Sequence, residues 1–217
     1  MSKVLATARR GPRRTQAERR ESTRRALLDA AVRCVCRGGF ASTTTSDVAR
    51  EAGLSRGAVQ HHFQDKNELM TTVVEQGWSD LVDRLRGIAA LDGTLEERVD
   101  QVVDRMWESY SSDAFQAAVE VTRGARGNPA LRNAHAELFE ASRSTLDEEW
   151  RRVFSDAPVS ATRLRMSRRL ARSLLTGILH QLAFEPKRSD LAVDIALLKE
   201  TVYRTLTTPG PGEDHAR

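Results

Sequence analysis

The chain has 217 residues, 40% of them hydrophobic and 29% charged, which is enough apolar material for one or two packed domains and too much for a wholly disordered chain. Its apolar runs, such as Val73–Val74 and Ile195–Leu198, fall far short of the about 20 residues that a membrane helix needs. Its Arg-rich start lacks the following apolar stretch of about 7–15 residues that a secretory signal needs. The net charge of +4 is unevenly spread, with +7 on residues 1–25 and −3 on the rest, a distribution that suits either a polyanion partner reached by the N-terminal end or a solvated tail.

From Gln16 to Arg37, Leu27, Ala30, Ala31, Cys34 and Val35 recur at spacings of three and four, with Arg24, Arg25, Asp29 and Arg33 mostly on the other side. That is one amphipathic helix. Cys34 and Cys36 lie two apart on it and point to different faces, so they do not suit a bridge, and a reducing cytoplasm is expected. Gly38–Gly39 stops the helix and Phe40 returns to the core. The hydroxyls of Ser42-Thr43-Thr44-Thr45 can cap a second helix, whose short apolar face is Val48, Ala49 and Ala52. Gly53 ends it, Leu54 supplies a core contact, and Ser55 caps a third helix. There Ala58, Val59 and Phe63 turn inward, leaving Arg56, Gln60 and His61 to face out. Two short helices joined by a tight glycine turn make a helix-turn-helix.

The third helix is slim where it begins, at Ser55, Arg56, Gly57 and Ala58, so it can enter a major groove about 12 Å wide. Arg56 suits a guanine edge and Gln60 an adenine. Thr43, Thr44 and Thr45, with the backbone N–H groups at the start of the second helix, suit phosphate oxygens. His62 is read either as a packing residue or as a phosphate contact. Asp65-Lys66-Asn67-Glu68 forms an Asp-x-x-Glu box that opens a fourth helix and places Lys66 where its ammonium can meet a phosphate.

The remaining two-thirds also reads as helices. The fourth runs on through Leu69, Val73, Trp78, Leu81, Val82, Leu85 and Ile88, with Gly77 permitting a bend or close packing. Thr94-Leu95-Glu96-Glu97 is another capping box, followed by Asp113–Arg126. Asn128-Pro129 then opens a long helix carried by Leu131, Ala134, Leu138, Leu146, Trp150, Val153 and Phe154 and closed by Pro158. Ser160–Phe184 and Asp190–Leu206 complete the set.

Trp78, Trp107, Tyr110, Phe115, Phe139 and Trp150 could line an apolar effector cavity, with Glu120, Arg123 or His135 orienting a ligand. The same aromatics serve equally as ordinary core. The last two helices carry Leu164, Leu170, Ala171, Leu174, Leu175, Ile178 and Leu182, then Leu191, Ile195, Leu198, Val202 and Leu206. That surplus would be buried in a two-fold four-helix interface, or in the monomer's own core.

Residues Phe40–Leu69, FASTTTSDVAREAGLSRGAVQHHFQDKNEL, strongly resemble the DNA-binding domain of TetR-family transcriptional regulators. The matches run in order through Gly39-Phe40, Thr43–Thr45, Asp47-Val48-Ala49, Ala52-Gly53-Leu54-Ser55, Gly57-Ala58-Val59, His62-Phe63 and Lys66, and the likeness extends back to about Arg20. The family's usual tyrosine in the recognition helix, which commonly touches the phosphate backbone, is Gln60 here, whose amide could instead read a base. The resemblance implies an all-α protein with a basic arm over residues 1–19, a three-helix DNA-binding domain over 20–68, a larger helical effector-binding and dimerisation domain over 69–207 and a tail over 208–217. It implies double-stranded DNA, a second copy of the chain and a hydrophobic or amphipathic small-molecule effector as partners, and a ligand-responsive repressor acting on a palindromic operator.

No metal, catalytic residue or other cofactor is expected. The chain lacks His-Glu-x-x-His, Gly-x-Ser-x-Gly, Gly-x-Gly-x-x-Gly and P-loop motifs, and neither His61-His62 nor His135-Ala136-Glu137 has the i, i+4 partner that a metal site would use. Two other readings remain open on sequence: an architectural DNA-binding protein without an effector, and a helical interaction module that has lost DNA binding.

Overall fold

In a computed structural model of the chain, residues 15–86, 93–182, 184–185 and 190–208 are described. Among them every regular element is helical: α1 (Gln16–Ser42), α2 (Thr45–Glu51), α3 (Arg56–His62), α4 (Lys66–Arg86), α5 (Leu95–Tyr110), α6 (Asp113–Gly124), a 3-10 turn (Ala125–Gly127), α7 (Pro129–Val153), α8 (Ala161–Leu182) and α9 (Leu191–Thr207). Residues 1–14 of the expected arm over 1–19, Ile88 and the tail beyond residue 208 lie outside the described residues, whereas Gln16–Arg19 of that arm belong to α1, capped by Thr15.

Side-chain caps set most helix starts. Thr15, Thr44, Ser55, Thr94, Ser112 and Asn128 each accept a hydrogen bond from the backbone N–H three residues on, satisfying one donor that the helix itself leaves orphaned. At Thr15, Thr44 and Thr94 the third residue is acidic and reaches back, closing a capping box. The box expected at Asp65 is displaced by one residue: Asp65 accepts from the Glu68 N–H at 2.9 Å, whereas the Glu68 carboxylate accepts from the N–H of Gln64.

Several helix boundaries differ from the sequence reading, among them the end of α6, which stops at Gly124 before the 3-10 turn instead of running to Arg126. The hydrogen-bonded pattern of α1 resumes beyond the glycines to Ser42, broken at Gly39, whose φ of +78° only a residue without Cβ adopts freely. α7 stops at Val153, where Phe154 leaves the helix and buries its ring, before Pro158 is reached. α8 ends at Leu182, two residues short of Phe184.

Two apolar clusters hold the chain. One packs α1, α2 and α3 with the first half of α4 and with Ala117, Ala118 and Val121 of α6. The other packs α5, α7, α8 and α9 with Leu81 and Val82 of α4, so α4 belongs to both. Gly77 is where α4 meets α6: a Cβ there would stand 2.8 Å from the Ala114 carbonyl oxygen and 2.8 Å from the Ala118 methyl. Close approach, rather than a bend, is what this glycine provides.

Several residues assigned to a dimer face prove to be monomer core. Ala171, Leu175 and Val202 are fully buried and Leu198 nearly so, all in the cluster that includes α5. Leu164 and Ile178 are almost as enclosed, and Leu182, Leu191 and Ile195 are half-buried. The reason is geometric: α8 and α9 pack on each other and on α5, so one stripe of each is consumed inside the protomer. Leu174, at 38% exposure, faces out, together with Met166 (46%), Val193 (57%) and Leu197 (55%), three residues that the periodicity did not single out.

Candidate nucleic-acid interface and effector region

The helix-turn-helix is fixed by short-range bonds. Thr44 accepts from the Asp47 N–H at 3.2 Å, and the Asp47 carboxylate accepts from the Thr44 N–H at 3.0 Å and its hydroxyl at 2.5 Å. These bonds, with Arg50 nearby, hold the Asp47 carboxyl below the usual range. Gly53, at φ +66°, turns the chain so that the Leu54 N–H reaches the Ala49 carbonyl at 2.9 Å. Ser55 then caps α3, accepting from the Ala58 N–H at 3.2 Å. With Val59 and Phe63 buried as anchors, Arg56, Gly57, Gln60 and His61 are left exposed on one helix.

Two residues assigned to phosphate contact sit differently. Thr43 is 3% exposed and its hydroxyl donates to the Gly39 carbonyl at 2.8 Å, closing the end of α1 from within. Lys66 is half-buried, its Nζ donating to the Phe40 carbonyl at 2.8 Å and lying 4.4 Å from the centre of the Phe40 ring. Burial lowers its pKa. Lys66 therefore clamps the end of α1 to the base of α4. Thr44 remains exposed and Thr45 half-buried at the start of α2.

His62 is half-buried, and its pKa is lowered by burial and then by His61, Arg20 and Arg24. Arg24 lies 5.3 Å from the centre of the Phe63 ring, which places α1 cations beside the recognition helix. The sequence signal for this pair was the i, i+4 spacing of Arg20 and Arg24 on the polar face of α1.

In the body, Trp78 of α4 makes edge-to-face contacts with Phe115 of α6 (5.3 Å) and Phe139 of α7 (5.5 Å), while Tyr110 of α5 lies 4.4 Å from Phe115. Four of the expected effector aromatics thus meet. Tyr110, Phe115 and Arg123 line a cleft of about 70 Å³, opposite Thr176, Leu179 and His180 of α8. The others are placed elsewhere. The Trp150 indole N–H donates to the Ser167 hydroxyl at 2.9 Å deep in the core, Trp107 packs half-buried on the body's core, and Glu120 accepts from the Phe40 N–H at 3.3 Å, so it faces the N-terminal domain. His135 is 4% exposed with neither ring nitrogen hydrogen-bonded, and burial lowers its pKa. Among the described residues no three His, Cys, Asp or Glu side chains gather as metal ligands, and no helix is long and apolar enough to cross a membrane.

Residues 27–73, which contain this helix-turn-helix, match the family described as bacterial regulatory proteins, tetR family. The HTH-type transcriptional regulator CymR of Pseudomonas putida is 32% identical over 138 residues, 64% of this chain and 68% of CymR. The chain belongs to the TetR family. The HTH-type transcriptional repressor Rv1474c of Mycobacterium tuberculosis is 26% identical over 84% of this chain and 94% of its own length. The fold extends over the body as well: SmeT, the repressor of the Stenotrophomonas maltophilia multidrug efflux pump SmeDEF, superposes with a TM-score of 0.61 at 22% identity, covering 88% of this chain and 93% of SmeT.

As a TetR-family protein the chain is a DNA-binding transcriptional regulator and not an enzyme. For a TetR-type recognition helix, α3 departs at Gln60, which is exposed. Arg56 and Gln60 are one helical turn apart, so both can address neighbouring base edges from one groove.

Proposed function

We propose that the protein is a cytoplasmic, ligand-responsive repressor that binds an inverted-repeat duplex as a homodimer, with one α3 in each of two successive major grooves. The observation that carries this reading is the division of α3 and its C-terminal cap into buried anchors, Val59 and Phe63, and an exposed edge of Arg56, Gly57, Gln60 and His61. Arg56 and Gln60 read bases; Ser55, Thr44, Thr45 and the α2 backbone approach phosphates, joined by His61, His62 and the α1 arginines Arg20 and Arg24.

Dimerisation uses the outer face of α8 and α9. Leu174, Val193 and Leu197 are apolar and exposed there, and pairing them across a two-fold axis forms a four-helix bundle. Two-fold symmetry of the protein dictates that of the operator, with half-site centres about 34–36 Å apart for adjacent turns. An effector held by the aromatic cluster acts on Trp78, hence on α4, which carries the DNA-binding domain. The repressor names of Rv1474c and SmeT support the sign of regulation.

Selection of bound sites from a random duplex pool tests the reading, with sedimentation analysis of the protein and its complex. A palindromic consensus bound by two chains is expected, and Leu174→Glu with Leu197→Glu yields a monomer with weakened operator binding. Equal binding of all duplexes would favour an architectural protein; indifference to every duplex at modest ionic strength would favour an interaction module.

A further inference from the structure

α8 carries five arginines and no carboxylate over its 22 residues, within a body that is net acidic. Arg163 donates to the Thr205 carbonyl. The other four, Arg165, Arg168, Arg169 and Arg172, line a groove of about 350 Å³ together with Thr162 and Met166 of the same helix and Arg143 and Asp147 of α7. Asp147 is the one carboxylate in that lining and is already engaged: Arg168 Nε donates to it at 2.5 Å, and Arg143 stands 3.7 Å from its other oxygen. Arg165 turns to the Thr162 hydroxyl at 3.1 Å. Among the described residues, Arg165, Arg169 and Arg172 form no ion pair.

Like charges three and four apart on a helix repel, and a groove with low-dielectric walls focuses their field. A guanidinium does not shed its proton near neutral pH, so the field is relieved by an anion. The size of that anion follows from the spacing. Arg165 to Arg172 covers seven residues, about 10 Å of helix, whereas one carboxylate satisfies one guanidinium fork. Several oxyanion groups in a row are needed, which is the chemistry of a phosphoanhydride chain.

We propose that the α7–α8 groove binds the phosphate chain of a small organic di- or triphosphate, and that this molecule is the effector of the ligand-responsive regulator described above, on which reading the proposal rests. Arg172 joins the groove to the aromatic cluster. Its guanidinium lies 5.7 Å from the centre of the Phe139 ring. It also neighbours Tyr110, whose phenol burial pushes up to about 12 against the opposing influence of Arg172 and Arg168. The Tyr110 side chain is 2% exposed and lines the cleft. It gives the organic part of the ligand a polar anchor. The cleft admits only a few atoms, so the phosphates supply most of the binding. A phosphate that draws Arg172 off Phe139 loosens the Phe139–Trp78 contact, and Trp78 sits on the helix that carries the DNA-binding domain.

The test is calorimetric titration of the full-length protein with inorganic pyrophosphate, ADP and ATP against sulfate at matched ionic strength, with affinity for a pool-selected duplex measured in parallel. Pyrophosphate, ADP and ATP should each bind at least ten-fold tighter than sulfate, and saturation should shift duplex affinity about five-fold or more. Arg165→Glu with Arg169→Glu should weaken anion binding at least ten-fold, the Gln pair should weaken it less, and anion-free duplex binding should stay unchanged in both. Arg56→Ala should leave anion binding intact. Pyrophosphate no better than sulfate, or an isotherm undiminished in the Glu pair, overturns the site. Anion binding that leaves duplex affinity unmoved overturns its role as effector. Intact duplex binding without pyrophosphate binding sinks this proposal alone, whereas a wild-type protein that ignores every duplex strikes the regulator reading instead.

Discussion

The helix-turn-helix and the α8–α9 pair are built from helices of similar character, yet they differ in what decides the fate of each side chain. In α2 and α3 the decision is made within a few residues: Thr44 and Ser55 cap, Gly53 turns, and the helices are so short that one buried pair, Val59 and Phe63, fixes the exposed edge. In α8 and α9 each helix is long enough to present apolar residues on more than one face. Packing against α5 takes Ala171, Leu175, Leu198 and Val202, leaving Met166, Leu174, Val193 and Leu197 outside. Local chemistry fixes function in the first region, whereas partner choice fixes it in the second.

The comparison is most easily broken at Phe63. Phe63→Ala should cost about 3–5 kcal/mol in the N-terminal cluster, seen as a lower urea midpoint and lost operator binding, while Ala at exposed Leu197 should barely move the protomer's stability. A body that unfolds equally in both variants would show that the two clusters do not differ as described. Next in size is Gly77→Val, which overpacks the α4–α6 contact and should cost about 1–3 kcal/mol in thermal or chemical unfolding. A neutral result would return this glycine to the role of a bend.

At the interface, Arg56→Ala should lose about 1–3 kcal/mol on a matched duplex and relax choice at one base pair. Lys66→Ala is the contrasting case. With its ammonium on the Phe40 carbonyl, it should lower the stability of the N-terminal cluster and leave the salt slope of DNA binding nearly unchanged, as footprinting titrations across ionic strength would report. Thr44→Ala should cost about 1 kcal/mol through the lost cap and move the Asp47 titration upward by NMR, though not fully to the ordinary range, because the backbone N–H of residue 44 and Arg50 still face the carboxylate.

The smallest effect distinguishes the regions by pH. His135 is buried without hydrogen bonds, and its pKa lies below 6.5 in the fold. The unfolded chain therefore takes up the proton first, so stability is fully present above about pH 6.5 and is lost as pH falls below it. His135→Leu should flatten that decline in denaturation midpoints between neutral pH and pH 5, leaving the parallel contribution of half-buried His62. An unchanged slope would mean that His135 is not the neutral buried base described.

Much of the fold was legible because its punctuation is local. The caps at Thr44, Ser55 and Thr94, the turn at Gly53 and the Asn128-Pro129 start all read from their neighbours alone. The exposed edge of α3 was legible for the same reason. What sequence could not assign were contacts across long separations. The burial of Thr43 depends on the break at Gly39, and Lys66 finds its carbonyl 26 residues back. Glu120 faces Phe40 from 80 residues away. The arginines of α8 were written in the sequence, but only α7 opposite them makes a groove.

The joint between the two regions carries a consequence for building hybrids. Gly124 lies against the Phe40 ring so tightly that a Cβ there would fall 2.5 Å from its Cδ1, and Glu120 holds the Phe40 N–H. A designer who swaps this N-terminal unit onto the body of a cousin must therefore carry over the socket along with the plug, or the graft will fold in two halves that no longer speak to each other.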